Sequence, residues 1–462
     1  FFSHCHAIQA LLREALAGFA GGGLKMATPT TLADLAGWAA SRYGDAPFLQ
    51  TWSAHRGLDA TLSFHAFNEL ECRFRAALAA LLASHGVRPK GARLALLCHA
   101  CADSLALTLS APALGVTVVS LNWKQPAATL ALLTRGLGCE VVTAGRGLAA
   151  LAREVVCGAV VGGGGAPLLF LLSGAESELS PPLHAAREAP LTCASAAAGR
   201  HSSRAAPAGL DELEAGGGVA PRDTALILFT SGTSGTPKPV PLSHSALLWS
   251  SRAKAAAEER FLGLPSSSSI GKAPAHRGTL ALLPAFHVIG IVNNFVYNLL
   301  TGTRATAFAE AHSTPLTGRL LLAAAAELRP SLLDTVPVLL ESLLPLSRAE
   351  AAPLRSCDAV LYGGAPMGPS ALAAWRQLGV WPASQYGQTE LGGMAMIGTP
   401  RGPAGALRPV PGIRARLSAA DGRAGEGGAG AVCGELLLCG AGGLTSGYLP
   451  LAGCGVAVAE EA

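Results

Sequence analysis

Thr230-Ser231-Gly232-Thr233-Ser234-Gly235-Thr236-Pro237-Lys238 is the stretch whose reading decides the fold. The apolar run Ala225–Phe229 precedes it and reads as a buried strand, and a helical pattern begins near Ser243. Glycine permits positive φ and close backbone approach. Successive backbone N–H groups then make a nest for phosphate oxygens, hydroxyls add donors, and Lys238 adds a cation. The spacing predicts a strand, a phosphate-holding loop and a helix, and several small donors with one cation suit a triphosphate. Two rival motifs fail on spacing. A Walker A loop needs Gly before its Lys, and Pro237 stands there. A nucleophile elbow needs a residue between Ser234 and Gly235. An ordinary flexible loop is the plainer alternative, and nine residues in this order weigh against it.

The rest of the chain bounds the class. It has 462 residues, 34 Lys plus Arg against 30 Asp plus Glu, and half its residues are apolar. A net charge of +4 is too balanced for nucleic acid as the main partner. The apolar half affords a large core, which excludes a disordered chain. Only six lysines occur, and Ala, Gly and Arg abound, so runs such as Gly162–Gly165 are discounted as signals. Eleven scattered cysteines make no disulfide framework and suit a reducing compartment, cytoplasmic or organellar. Cys98 and Cys101 form one CxxC with no second pair at zinc spacing. Ser104–Leu121 and Leu280–Thr303 carry no formal charge. Pro112 and Gly115 break the first, and Pro284, His287, Asn293, Asn294 and Asn298 lie in the second, so neither is expected to span a membrane.

Strand-like and helical patterns alternate. Thr31-Leu32-Ala33-Asp34 reads as a capping box before a helix ending near Gly44. Phe67, Leu70, Phe74, Leu78, Leu81 and Leu82 mark one helix face between Ser63 and Gly86. Arg93–Cys98, Val116–Leu121, Leu168–Leu172, Thr279–Leu283, Ala305–Phe308, Leu332–Val336 and Ala359–Tyr362 read as strands, which implies α/β architecture with a parallel sheet. Residues 1–25 read as an extension, 26–400 as the αβ core with a low-complexity insertion near 145–222, 401–449 as a β-rich subdomain, and 450–462 as an atypical tail.

Further motifs follow in order. Pro284-Ala285-Phe286-His287-Val288-Ile289-Gly290 sets a histidine in an apolar segment. Tyr362-Gly363-Gly364-Ala365-Pro366 leaves backbone open for a flat ring to lie against. Tyr386-Gly387-Gln388-Thr389-Glu390 offers a ring to stack, a hydroxyl for a phosphate oxygen and a carboxylate for Mg²⁺. Taken singly, these are a core histidine, a common turn and a helix start. Together with the loop at 230–238, and with Gly434-Glu435-Leu436 and Gly447-Tyr448-Leu449, they resemble the adenylate-forming superfamily of acyl-CoA synthetases, luciferases and adenylation domains over about residues 30–449.

The resemblance implies the large N-terminal domain of that superfamily, stacked αβ layers plus a small β-barrel. It implies ATP-dependent conversion of a small carboxylic acid to acyl-AMP, then transfer to the thiol of CoA or of a carrier-protein pantetheine. Thr230, Ser231, Gly232, Thr233, Ser234, Gly235, Thr236, Lys238, Gly363, Gly364, Ala365, Pro366, Tyr386, Gly387, Gln388 and Thr389 would hold the nucleotide. Glu390 would hold Mg²⁺, and His287 would stand as an aromatic gate by the reacting carboxylate. Thr389, Glu390, His287 and Lys238 would carry the catalysis. No Arg or Lys stands in the expected pocket segments, which favours an apolar monocarboxylic acyl group. Two features depart from the pattern. Pro239 replaces the Gly usual after Pro-Lys and is reminiscent of reductase-linked adenylation domains. No Lys follows Lys272, and the chain ends 14 residues after Tyr448, so the small C-terminal domain is expected to be missing and the chain alone slow. The remaining readings are an adenylation domain of a multidomain synthetase or carboxylate reductase, and a non-catalytic nucleotide- or acyl-binding pseudoenzyme.

Overall fold

The computed structural model describes residues 28–160, 166–172, 188–191, 218–230, 237–264, 277–308, 315–403, 405–418, 435–440, 445 and 447–451. Expectations for residues 1–25, Ser231–Thr236 and 452–462 lie outside these. The chain forms two compact units, one of residues 1–45, 63–227 and 449–462, the other of 46–62 and 228–448.

In the first unit six strands run parallel in the order Glu188–Leu191, Leu168–Leu172, Val141–Gly145, Arg93–Leu97, Thr117–Ser120, Thr224–Thr230. Leu94 is in register with Val118 on one side and Val141 on the other. Leu94, Ala95, Val118, Val119, Val141, Val142, Leu169 and Phe170 are all buried. Such continuous apolar runs are what a sheet covered on both faces requires. The helix expected from Ser63 spans Phe64–Ser84, and Ser63 caps it by accepting from the Ala66 N–H at 3.1 Å. Its Glu71 carboxylate is buried and held by both Nε and Nη2 of Arg75 at 3.0 and 2.7 Å. Arg75 Nη2 also donates to the Ala33 carbonyl, tying this helix to the start of the Leu35–Tyr43 helix. The capping box expected at 31–34 does not form. Asp34 is the N-cap without a side-chain bond to the helix, because its carboxylate accepts the Thr31 hydroxyl instead. Within the pattern-poor stretch from 145 a helix runs over Ala149–Ala159, burying Ala152, Val155 and Val156.

In the second unit the strands Thr279–Leu280, Leu332–Thr335, Ala359–Tyr362 and Ala383–Gln388 run parallel, and Gly393–Ile397 and Arg408–Pro409 continue the sheet antiparallel. The first of these is shorter than the Thr279–Leu283 expected. Side chains alternate between two cores. Leu332, Leu361 and Ala383 pack with Ala253 and Ala257 of the His244–Leu262 helix. Leu333, Val360 and Tyr362 pack on the opposite face with Leu321, Leu372 and Trp375 of the Gly318–Leu328 and Pro369–Gln377 helices. Glu327 of the former accepts from Trp52 Nε1 at 2.9 Å and the Leu58 N–H at 2.7 Å, holding the Pro47–Ser53 and Gly57–Ser63 strands to it.

The apolar segment 280–303 breaks into a turn, a π-helix over Ile289–Val296 and a short helix Tyr297–Thr301. Among the described residues no helix is long and apolar enough to cross a membrane. Of the expected small barrel, the described residues show the antiparallel pair Ile413–Ser418 with Glu435–Gly440.

Candidate active site

The parallel strands 332–335, 359–362 and 383–388 end at one edge of their sheet, and the ligand-side turns of α/β sheets follow such carboxyl ends. After Tyr362 the chain enters Gly363, buried, then Gly364, Ala365 and Pro366, all exposed. Gly364 has φ +83, a left-handed value that glycine adopts without strain. A Cβ on Gly363 would meet Gln385 Cγ at 2.8 Å and the Gln385 carbonyl at 2.9 Å, so only glycine fits. Tyr386, one residue on, is half-buried, while Gly387 and Gln388 are exposed. Gln388 Nε2 donates to the Tyr386 hydroxyl at 2.7 Å, which holds that ring by its polar end. An exposed backbone turn beside a tethered ring can sandwich a planar heterocycle.

Thr389, Glu390 and Leu391 form a 3₁₀ turn at the tip of a hairpin between strands 383–388 and 393–397. Gly392 at φ +68 closes it. A Cβ on Gly387 would lie 2.2 Å from the Gly393 carbonyl, so the hairpin needs glycine there. Gly393 lies against Asn293 Oδ1 and Ser250 Oγ, each 2.8 Å from where its Cβ would stand. His287 is exposed just before the same π-helix that carries Asn293, its ring 5.5 Å from that of Phe286.

Strand 224–230 ends at Thr230, and the described chain resumes at Pro237. Lys238 does not lead straight into a helix. It starts an additional strand, Lys238–Ser243, and the helix follows from His244 with Ser243 as its N-cap. Pro239 and Pro241 masked that strand in the sequence. Two residues apart, they withdraw N–H groups from the same side, which an edge strand tolerates.

Thr445 and Tyr448 join these parts. The Thr445 N–H donates to the Glu390 carbonyl at 2.8 Å, and its hydroxyl to the Pro241 carbonyl at 2.7 Å. The Tyr448 hydroxyl donates to Glu390 Oε1 at 2.5 Å, and the Lys238 ammonium sits 5.0 Å from the Tyr448 ring centroid. Lys238 and Glu390, 152 positions apart by number, thus share one aromatic neighbour. Tyr448 and Thr445 were not among the expected site residues. Gly447-Tyr448 was the only sequence signal for them, and it carried no role.

Comparisons with known proteins give the chain its family and fold. A family pattern described as AMP-binding enzyme matches residues 37–449, and the chain belongs to that family. It is 30% identical over 182 residues to the adenylate-forming reductase stbB of Stachybotrys bisbyi, a match covering 39% of this chain and 16% of that protein. It is also 30% identical over 174 residues to a 4-chlorobenzoate–CoA ligase of an Arthrobacter species, covering 37% of this chain and 30% of the ligase. The chain therefore spans well under two thirds of these relatives. Among solved structures, the O-succinylbenzoate coenzyme A synthetase of Bacillus subtilis in complex with AMP superposes with a TM-score of 0.61 at 19% identity, over 90% of this chain and 88% of the other. The same synthetase has also been solved with ATP and magnesium ion. The fold is that of the N-terminal domain of adenylate-forming enzymes.

Proposed function

We propose that this chain activates a small carboxylic acid with ATP, forming acyl-AMP and pyrophosphate, and then passes the acyl group to the thiol of CoA. The observation that carries the reading is the junction of Lys238, Tyr448 and Glu390, in the same unit as the open turn Gly364–Pro366. A cation, a carboxylate and an exposed ring-binding backbone stand within one unit, which is what a nucleotide with its phosphates requires.

In this reading adenine lies against Gly364–Pro366 with Tyr386 as its stacking partner. Thr230, Ser231, Gly232, Thr233, Ser234, Gly235, Thr236 and Lys238 hold the β- and γ-phosphates, and Thr389 donates to the α-phosphate. Glu390 fits a magnesium role, because only its Oε1 is engaged, by Tyr448, and Oε2 has no partner among the described residues. Magnesium held there would offset phosphate charge as the substrate carboxylate attacks the α-phosphorus. The carboxylate is already ionised at neutral pH, so His287 serves as a wall of the acyl site rather than as a base. Positioning and charge neutralisation supply the rate.

A second reading, an adenylation domain serving a carrier-protein pantetheine or a reductase, is favoured by Pro239 and by the likeness to an adenylate-forming reductase. Acid-dependent pyrophosphate release, with a panel of fatty, aryl and short-chain acids, tests the first step. Release that rises with one class of acid supports it. Release indifferent to every acid, from a folded chain that binds ATP, leaves a nucleotide-binding protein without ligase chemistry. Adding CoA or a phosphopantetheinylated carrier to the reaction then separates the two acceptors by which thioester forms.

A further inference from the structure

A buried polar cluster lies directly beneath the open turn. Asp334, at the end of strand 332–335, is fully buried, and its Oδ1 accepts a hydrogen bond from Gln385 Nε2. Strand 359–362 lies between the strands carrying these two residues. Asp334 is in register with Leu361, which is in register with Ala383, so Asp334 and Gln385 point to the same sheet face two residues apart along the strands. Gln385 reaches Asp334 across the position where residue 363 would carry a side chain. Its Cγ is 2.8 Å, and its Cδ 3.5 Å, from a Cβ built on Gly363. The glutamine side chain therefore occupies the space that Gly363 leaves empty.

The far side of Asp334 is charged as well. Lys254 Nζ stands 3.8 Å from Asp334 Oδ2, and Lys254 is itself fully buried. Lys254 also pairs with Glu258 and lies 4.3 Å from the Tyr297 ring centroid, while the Tyr297 hydroxyl donates to Glu258 Oε2 at 2.5 Å. A carboxylate placed so deep is unfavourable unless it is paired and hydrogen-bonded. Gln385 supplies a hydrogen bond to Oδ1 and Lys254 faces Oδ2, which fixes Asp334. Asp334 in turn fixes Gln385. The next residue along that strand is Tyr386, and the side chain of Gln385 rests on Gly363.

We propose that Gln385, pinned to Asp334, is a positioning residue that holds the Gly363–Gly364 turn at a fixed spacing from the Tyr386 ring and so sets the affinity for the nucleotide base. This rests on the reading that adenine lies at that turn. Gln385 need not touch the nucleotide. It acts by keeping two of its contacts from moving apart, and preorganised contacts bind more tightly because less ordering remains to be done on binding.

The test is calorimetric titration of AMP into the wild-type chain and three variants at neutral pH, with thermal unfolding of each. Gln385→Met keeps the length and removes the amide, and Asp334→Leu removes the acceptor. Asp334→Asn keeps an acceptor oxygen of the same shape. Gln385→Met and Asp334→Leu should raise the AMP dissociation constant about tenfold, and Asp334→Asn should leave it within about threefold of wild type. A purely structural role would instead lower the melting temperature and the binding stoichiometry while the folded fraction keeps its wild-type dissociation constant, and that result overturns the proposal. Should Asp334→Leu fail to fold, Gln385→Met decides alone. AMP binding by wild type with an unchanged constant in Gln385→Met overturns the positioning role only. No AMP binding by folded wild type overturns the nucleotide reading and the proposal with it.

Discussion

The Tyr448 hydroxyl donates to Glu390 Oε1 at 2.5 Å, across 58 positions of sequence. It fixes one carboxylate oxygen, and the other has no partner among the described residues. A hydrogen bond to an ionised group contributes about 1.5–3 kcal/mol, roughly twice a neutral one. Tyr448→Phe keeps the ring beneath Lys238 and removes only that bond. We expect ATP·Mg affinity to fall about tenfold, and metal-free AMP affinity to change far less. Calorimetry with and without magnesium measures both. Equal losses in the two titrations would show that Tyr448 does not act through Glu390.

Acid titration should expose Asp334. Burial pushes its carboxyl up from 3.8 to about 6, against the opposing pull of Lys254 and the Gln385 hydrogen bond, with Glu258 adding to the rise. A carboxyl whose folded value exceeds its unfolded value contributes stability that is fully present below about 3.8 and is lost as pH rises through about 6. Asparagine at 334 carries no such penalty. Chemical denaturation at about pH 5 and about pH 8 should therefore show Asp334→Asn gaining on wild type toward alkaline pH, by on the order of 1 kcal/mol. A stability difference that does not move with pH would show that Asp334 is not held in the unfavourable ionised form.

In the first unit, Arg75→Met should be costly. Glu71 is 1% exposed, and Arg75 is its ion-pair partner. Arg75 is itself 34% exposed, so losing it leaves the buried Glu71 charge uncompensated at somewhat less than the about 3–5 kcal/mol of a wholly buried pair. The double variant Glu71→Gln with Arg75→Met should recover much of that loss. Urea denaturation of both variants makes the comparison, and a single variant as stable as wild type would mean the pair is solvated.

The legibility of the chain in its sequence was uneven, and the reasons are local. Apolar strands such as Ala359–Tyr362 were readable because a parallel sheet buries every residue of the run. The Phe64–Ser84 helix was readable from its spaced Phe and Leu. The Ala149–Ala159 helix was missed although Ala152, Val155 and Val156 stand at helical spacing around Arg153 and Glu154, because the stretch from 145 was read as one Ala- and Gly-rich insertion. The Lys238–Ser243 strand hid behind two prolines that only an edge position tolerates. At the site, Gly363 and Gly364 were readable as a turn, but the reason for Gly363 lies in Gln385, and Gln385 is explained by Asp334, 51 positions earlier. Such relations depend on strand register, which sequence spacing does not carry. Tyr448 likewise gains its role only from the fold that sets it beside Glu390.

The measurement closest to the central claim is calorimetric titration of ATP·Mg into the folded chain, run beside Glu390→Gln. The substitution keeps shape and removes the charge that would hold the metal. Wild type should bind saturably, with binding weakened at least about tenfold in Glu390→Gln and metal-free AMP affinity nearly unchanged. Binding that is equally tight in Glu390→Gln, or absent from a folded wild-type chain, would contradict it.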